Sequence, residues 1–227
     1  GMVCGFNIAI RAMGKEGDEV LSNIPVYPPF LTAPGNFGQN LIGIPMTLEG
    51  DRHTIDFGAL TTANSPQSKT FVFCHPHNPV RTQFTRTELE RFGEFCLRHD
   101  LSVCSDEIHC DLLLDEGATH VPLAAISPEI ADKTITLMAP SKTFNLPGFG
   151  CSFAIISNPE LRRRYKKACA GIVPDPPAMG FALAEAAYRH GEPWRQRLLH
   201  YLRANRDLAL YRLAGIPGLS PFPVSAT

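Results

Sequence analysis

Three apolar runs of strand length narrow the fold most: "KTFVFCHPHNP" (residues 69–79), "LSVCSDEIH" (101–109) and "TITLMAPSK" (134–142). Each ends abruptly in polar residues. Between the first two lies the clearest helical pattern of the chain. Thr85 and Glu88 form a T-x-x-E capping box, Leu89, Phe92 and Cys96 follow at helical spacing, and His99 and Asp100 close the segment. Further strands are expected at "EVLSNI", "NLIGIPM" and "CSFAIIS", with a rigid turn at "PVYPPF". A short apolar helix containing Phe6, Ile8, Ala9, Ile10 and Met13 ends at "GKEGD". Helical patterns recur at roughly 160–170, 178–190 and 192–213, the last two preceded by a loop, "IVPDPP". Strands alternating with helices imply βαβ units. The expected fold class is therefore α/β, a three-layer αβα sandwich with a mainly parallel sheet. In such sheets ligands bind at the carboxyl ends of the strands.

A length of 227 residues suits one such domain with ample core. The formal net charge of −1 gives no support for a nucleic-acid partner. No apolar run reaches the roughly 20 residues that cross a bilayer, so no membrane partner is expected, and no signal peptide is legible. The seven cysteines include no C-x-x-C pair, and several sit in strand-like runs. They read as reduced, buried thiols of a cytoplasmic protein. His75, His77, Cys104, His109 and Cys110 match no zinc spacing, so no metal is expected. The chain begins inside a helical pattern and stops on what reads as the start of another strand. A domain truncated at both ends is expected, with residues 1–215 forming most of a large domain and 216–227 starting a smaller one.

The polar ends of the three runs carry the chemistry. The first reaches Asn78, the second Asp106 and Glu107, the third Ser141 and Lys142. Each has a plain structural reading: Asn-Pro is a turn, an aspartate after a strand caps the next helix, and a strand-end lysine is solvated. If the strands are parallel neighbours, however, an amide, a carboxylate and an amine converge at one edge. That trio is the set needed for pyridoxal 5'-phosphate (PLP) catalysis: a lysine for a Schiff base, a carboxylate for the pyridinium nitrogen, and a donor for the ring hydroxyl.

"SDEIHCDLLLD" followed by "APSKTFNLPGFGCSFAII" resembles the fold-type-I PLP enzymes of the class I/II aminotransferase superfamily. The "DEIH" variant, "PVYPPF" and "HPHNPV" resemble its MalY/PatB-type cystathionine β-lyases (C–S lyases). The resemblance implies a homodimer acting on a small-molecule amino-acid substrate. It makes Lys142 the Schiff-base lysine and proton shuttle, with Asp106 paired to the pyridine nitrogen. Asn78 would bond the ring 3-hydroxyl, and Tyr27 would stack on the ring; its alternative is a core tyrosine. His109 would donate to the cofactor or shape the substrate pocket; its alternative is a structural histidine. The start "GMVCG" resembles a phosphate cup, with backbone N–H groups of Met2 and Val3 as donors, and Ser141 completes the implied cofactor set.

Departures from the family pattern are also legible. Arg81 stands where relatives have glycine, Ala139 where many have a phosphate-binding serine, and Gly150 where many have a phosphate-binding arginine. The implied reaction is β-elimination giving pyruvate, ammonia and a thiol. The rival readings are an aminotransferase with the same first steps and a catalytically weak PLP-binding regulatory protein.

Overall fold

The computed structural model describes residues 1–227. Its centre is a six-stranded sheet built from β1 (Glu19–Ile24), β2 (Asn40–Pro45), β5 (Ser68–Cys74), β6 (Ser102–Asp106), β7 (Thr134–Met138) and β8 (Phe153–Ile155). The spatial order is β2-β1-β5-β6-β7-β8. All pairings are parallel except β7 with β8, which is antiparallel. A small antiparallel hairpin, β3 (Thr47–Glu49) and β4 (Arg52–Thr54), lies apart from it.

Helices cover both faces, and the period-2 alternation of the strands decides which residue feeds which layer. On one face α1 (Met2–Met13) and α6 (Pro159–Cys169) pack Phe6, Ala9, Ile10, Met13 and Leu161 onto Val20, Val72, Cys104 and Ile135. On the other face lie α3 (Phe57–Ala63), α4 (Arg86–Arg98) and α5 (Pro128–Lys133). They pack Leu60, Leu89, Phe92, Phe95 and Ile130 onto Leu21, Phe71, Phe73 and Val103. This is the three-layer αβα sandwich. A one-turn α2 (Pro29–Thr32) begins within "PVYPPF", at the second residue of its Pro-Pro pair. Two longer helices, α7 (Ala178–His190) and α8 (Glu192–Ala214), follow the loop after α6.

The capping box forms as the sequence predicts. The Thr85 hydroxyl accepts from the Glu88 N–H, and the Glu88 side chain accepts from the Thr85 N–H at 2.7 Å. Glu88 also takes both guanidinium nitrogens of Arg52, at 2.8 and 2.7 Å, which ties the hairpin to α4. The hairpin, α3 and α5 are additions that the sequence pattern did not show. Beyond α8 the chain has no regular element. It returns to the body through an isolated bridge between Ala226 and Leu113.

Candidate active site at the carboxyl edge of the sheet

The register sets the site. Cys74 of β5 aligns with Asp106 of β6, and Asp106 aligns with Leu137 of β7. Three neighbouring parallel strands therefore end together. Asn78 lies four residues beyond Cys74, and Lys142 five beyond Leu137. The amino end of α1 reaches the same edge. Met2, Val3, Tyr27, Asn78, Asp106, His109 and Lys142 line one cleft, and Cys74 and Ile108 complete its walls. Ser141 does not line the cleft; it is half-buried in the turn beside Lys142. The sequence did not single out Cys74 and Ile108 for this site.

Asp106 is buried, and its Oδ1 accepts from the Ile108 N–H at 3.1 Å. No protein group bonds Oδ2. Burial raises its pKa to about 7, assisted by the charge of Glu107 and opposed by the Ile108 bond and by Lys142. His109 is pushed down to about 4, first by burial and then by the Lys142 charge. Its imidazole is therefore neutral near neutral pH, and its buried Nδ1 has no partner. Lys142 is exposed at the mouth of the cleft. The residues that follow it anchor the turn: Thr143 is fully buried, and Phe144 packs edge-on to Tyr188 and tilted beside Trp194.

Asn78 is placed by the residues before it. Its N–H donates to Cys74 Sγ at 3.4 Å, and that thiol donates to the Pro76 carbonyl. Burial, with the nearby Asp106 charge, holds Cys74 in the thiol form. His77 joins two loops: its Nε2–H donates to the Pro25 carbonyl at 2.8 Å, fixing the Asn78 loop against the Tyr27 turn. Burial lowers the His77 pKa to about 4, so it does this as a neutral donor. The Asn78 amide itself has no partner within the protein and faces the cleft.

At the start of α1 the first intrahelical bond is Gly5 N–H to Gly1 carbonyl at 3.0 Å, which leaves the N–H groups of Met2, Val3 and Cys4 without helical acceptors. No acidic side chain caps them, so the positive end of the helix is open to an anion.

The departures have structural consequences. Arg81 has φ 61°, the left-handed conformation that glycine adopts without strain. The loop is nonetheless closed, with the Arg81 N–H donating to His77 and its carbonyl accepting from the Ser225 hydroxyl. Gly150 also has a positive φ, 62°, so its backbone suits glycine. Ala139 is buried and does not reach the cleft. All seven cysteines are free thiols. No group of three or more His, Cys, Asp or Glu side chains is placed to hold a metal ion. No helix is long and apolar enough to cross a membrane.

The profile of aminotransferase class I and II matches residues 4–225. The chain belongs to that family. Over 215 residues it is 36% identical to cystathionine beta-lyase PatB of Bacillus subtilis (strain 168), covering 92% of this chain and 54% of PatB. Its fold superposes on the crystal structure of OvoB with a TM-score of 0.97 and 44% identity, over 100% of this chain and 60% of that one. It superposes on cystalysin from Treponema denticola, a structure containing a pyridoxal 5'-phosphate cofactor, with a TM-score of 0.94 and 32% identity, over 100% of this chain and 58% of that one. The chain thus spans about half the length of the curated relatives it matches.

Proposed function

We propose that this chain is the cofactor-binding part of a PLP-dependent C–S β-lyase that acts on an amino acid and yields pyruvate, ammonia and a thiol. The observation that carries the reading is the convergence of Lys142, Asp106 and Asn78 in one cleft beneath an open helix N-terminus. The relatives named as C–S lyases support the choice of reaction.

The donor set suits PLP. Lys142 supplies the amine for covalent attachment. Asp106 offers an unbonded Oδ2 in a buried setting, where a pyridinium cation would hold it ionised. Asn78 has a free amide for the ring hydroxyl, and the His109 imidazole has a free nitrogen beside it. Tyr27 provides a ring face, and the Met2 and Val3 N–H groups a phosphate site. The bound group supplies an electron sink for the charge left when the substrate Cα loses its proton. Lys142 Nζ would take that proton and would hold it for the departing sulfur, which leaves as the thiol. Asp106 would steady the charge by holding a proton on the ring nitrogen. The neutral His109 walls the substrate side without adding a charge.

In this reading residues 1–215 form most of the large domain, and 216–227 lead into a smaller one. The full-length protein is a homodimer in the cytoplasm, consistent with its free thiols. The test supplies the full-length protein with PLP and L-cystathionine, without a keto acid, and follows pyruvate and ammonia. Continuing, equimolar release is expected. Lys142→Ala should lower it on the order of 10³-fold or more. Unchanged turnover in that variant would sink the assignment. Amino transfer appearing only after a keto acid is added would move the protein to the aminotransferases, with Lys142 and Asp106 keeping their places.

A further inference from the structure

One buried charge at the site touches nothing in the cleft. Glu107, the residue after Asp106, has no exposed surface. Its N–H donates to the Leu137 carbonyl at 2.9 Å, so its backbone carries the sheet pattern one residue past β6. Its Oε1 accepts from the Ser105 hydroxyl at 2.7 Å and from the Leu123 N–H at 3.1 Å. Its Oε2 accepts from His120 Nε2 at 2.6 Å. Both oxygens are thus engaged, as a buried carboxylate requires.

The partners matter because of where they lie. Residues 107–122 contain no helix or strand, only turns and the isolated bridge at Leu113. Their path therefore depends on side-chain ties. Ile108 and His109, at the start of this segment, line the cleft, and His120 and Leu123 stand at its close. A single carboxylate pins the two ends together. His75 makes a parallel tie: its N–H donates to the Asp106 carbonyl at 2.9 Å, its Nε2 donates to the Val121 carbonyl at 3.1 Å, and its ring lies 4.5 Å from that of His120.

We infer that Glu107 is a positioning residue of the cleft, which by closing the 107–123 segment at both ends fixes Asp106 and His109 for the cofactor. The inference rests on the PLP reading above. Glu107 touches neither substrate nor cofactor in this role; it acts through the residues beside it. The charge of Glu107 also raises the proton affinity of Asp106.

The nature of the bonds sets the test. Glu107→Gln retains the oxygen that serves Ser105 and Leu123, and its amide can donate to His120 once that ring adopts its other tautomer. Glu107→Ala removes all three ties. In the full-length protein, PLP affinity is measured by fluorescence titration, together with the absorbance spectrum of the bound cofactor and the thermal midpoint. Glu107→Ala is expected to weaken PLP binding about tenfold or more and to shift the spectrum, while Glu107→Gln stays within about threefold of wild type. A folded Glu107→Ala protein with wild-type affinity and spectrum overturns the inference, even if its thermal midpoint falls. Equal losses in the Ala and Gln variants also overturn it, because bonding then is not what matters. Should Glu107→Ala fail to fold, Ser105→Ala and His120→Asn each remove one tie and are judged by the same two readouts. Asp106→Asn is measured alongside: wild-type affinity and spectrum there would overturn the PLP reading of the cleft itself, and any loss confined to the Glu107 variants would then need another cause.

Discussion

Asp106 gives the site a pH signature of its own. Its ordinary pKa is 3.8, and burial in the cofactor-free fold raises it to about 7. A group raised on folding favours the native state fully below its unfolded value, and that contribution is lost as pH rises through the folded value. Between about pH 4 and 7 the cofactor-free protein should therefore lose stability that Asp106→Asn keeps. The variant is expected to be more stable than wild type at pH 8, by on the order of a few kcal/mol and so with a higher unfolding temperature, and to unfold at the same temperature at pH 4. With PLP bound the order should reverse at pH 8, since only the carboxylate can pair with a ring cation. Identical thermal midpoints for the two cofactor-free proteins across that range would show that water reaches Asp106 and that its burial is incomplete. The residues of this cleft were legible in the sequence because each follows a recognisable apolar run, so that parallel strand order alone brings Asn78, Asp106 and Lys142 together. The Glu107–His120 pair was not legible. Its members are 13 residues apart across irregular chain, and no periodicity predicts which loop residue folds back. Ser141 lies outside the cleft lining for a related reason: a place next to Lys142 in sequence does not bring a side chain into the cleft when the chain is turning.

At the scale of elements, segments with a clear apolar run or stripe were legible, among them the short β8, whereas the hairpin and the short helices α3 and α5, of seven and six residues, were not. The hairpin strands β3 and β4 have three residues each, too few to show alternation. The orientation of β8 was equally hidden, since a run such as "CSFAIIS" reads the same whether paired parallel or antiparallel. Helix packing adds a constraint that composition does not reveal. Gly93 lies on the buried side of α4, and a Cβ built there would come within 2.2 Å of Ile130 Cδ1 and 2.9 Å of its Cγ1, on α5. On an exposed helix, Gly→Ala would stabilise by about 1 kcal/mol. Here the overlap with a buried side chain should outweigh that gain and leave Gly93→Ala destabilised by about 1 kcal/mol net. Ile130→Val shortens the obstructing branch, so Gly93→Ala with Ile130→Val should be more stable than the sum of the single changes predicts. A double-mutant cycle of denaturation free energies reads this coupling directly. Simple additivity would mean that the two helices separate freely at this point.

On the scale of the whole molecule, burial is uneven. The sheet and the helices α1, α3, α4, α5 and α6 share two compact clusters, whereas α7 buries only Gly180 and α8 only Leu199. What holds α8 is directed at the segment after Asp106: Leu198, Leu199 and Leu202 pack against Leu112, Leu114 and Val224, and polar ties add to this. Arg195 donates to the Asp111 carbonyl, Arg203 to the Leu114 carbonyl, and Arg206 pairs with Asp115. Its other sides, with those of α7, leave Met179, Phe181, Tyr188, Tyr201, Leu208 and Tyr211 exposed, Tyr211 by 79%. Aromatic and aliphatic surface on this scale is a liability for a chain in water. Residues 1–227 made alone are therefore expected to bind a hydrophobic dye and to elute well above their 24.9 kDa. Tyr201→Lys with Tyr211→Lys should lower both signals. Because neither side chain is buried, the thermal midpoint should move by no more than the equivalent of about 0.5 kcal/mol. A monomer that binds no dye would show that α7 and α8 rearrange to cover their own apolar faces. Dye binding that persists unchanged in the double variant would place the adhesive surface elsewhere, the exposed edge strand β8 with Phe153 and Ile155 being the next surface to test.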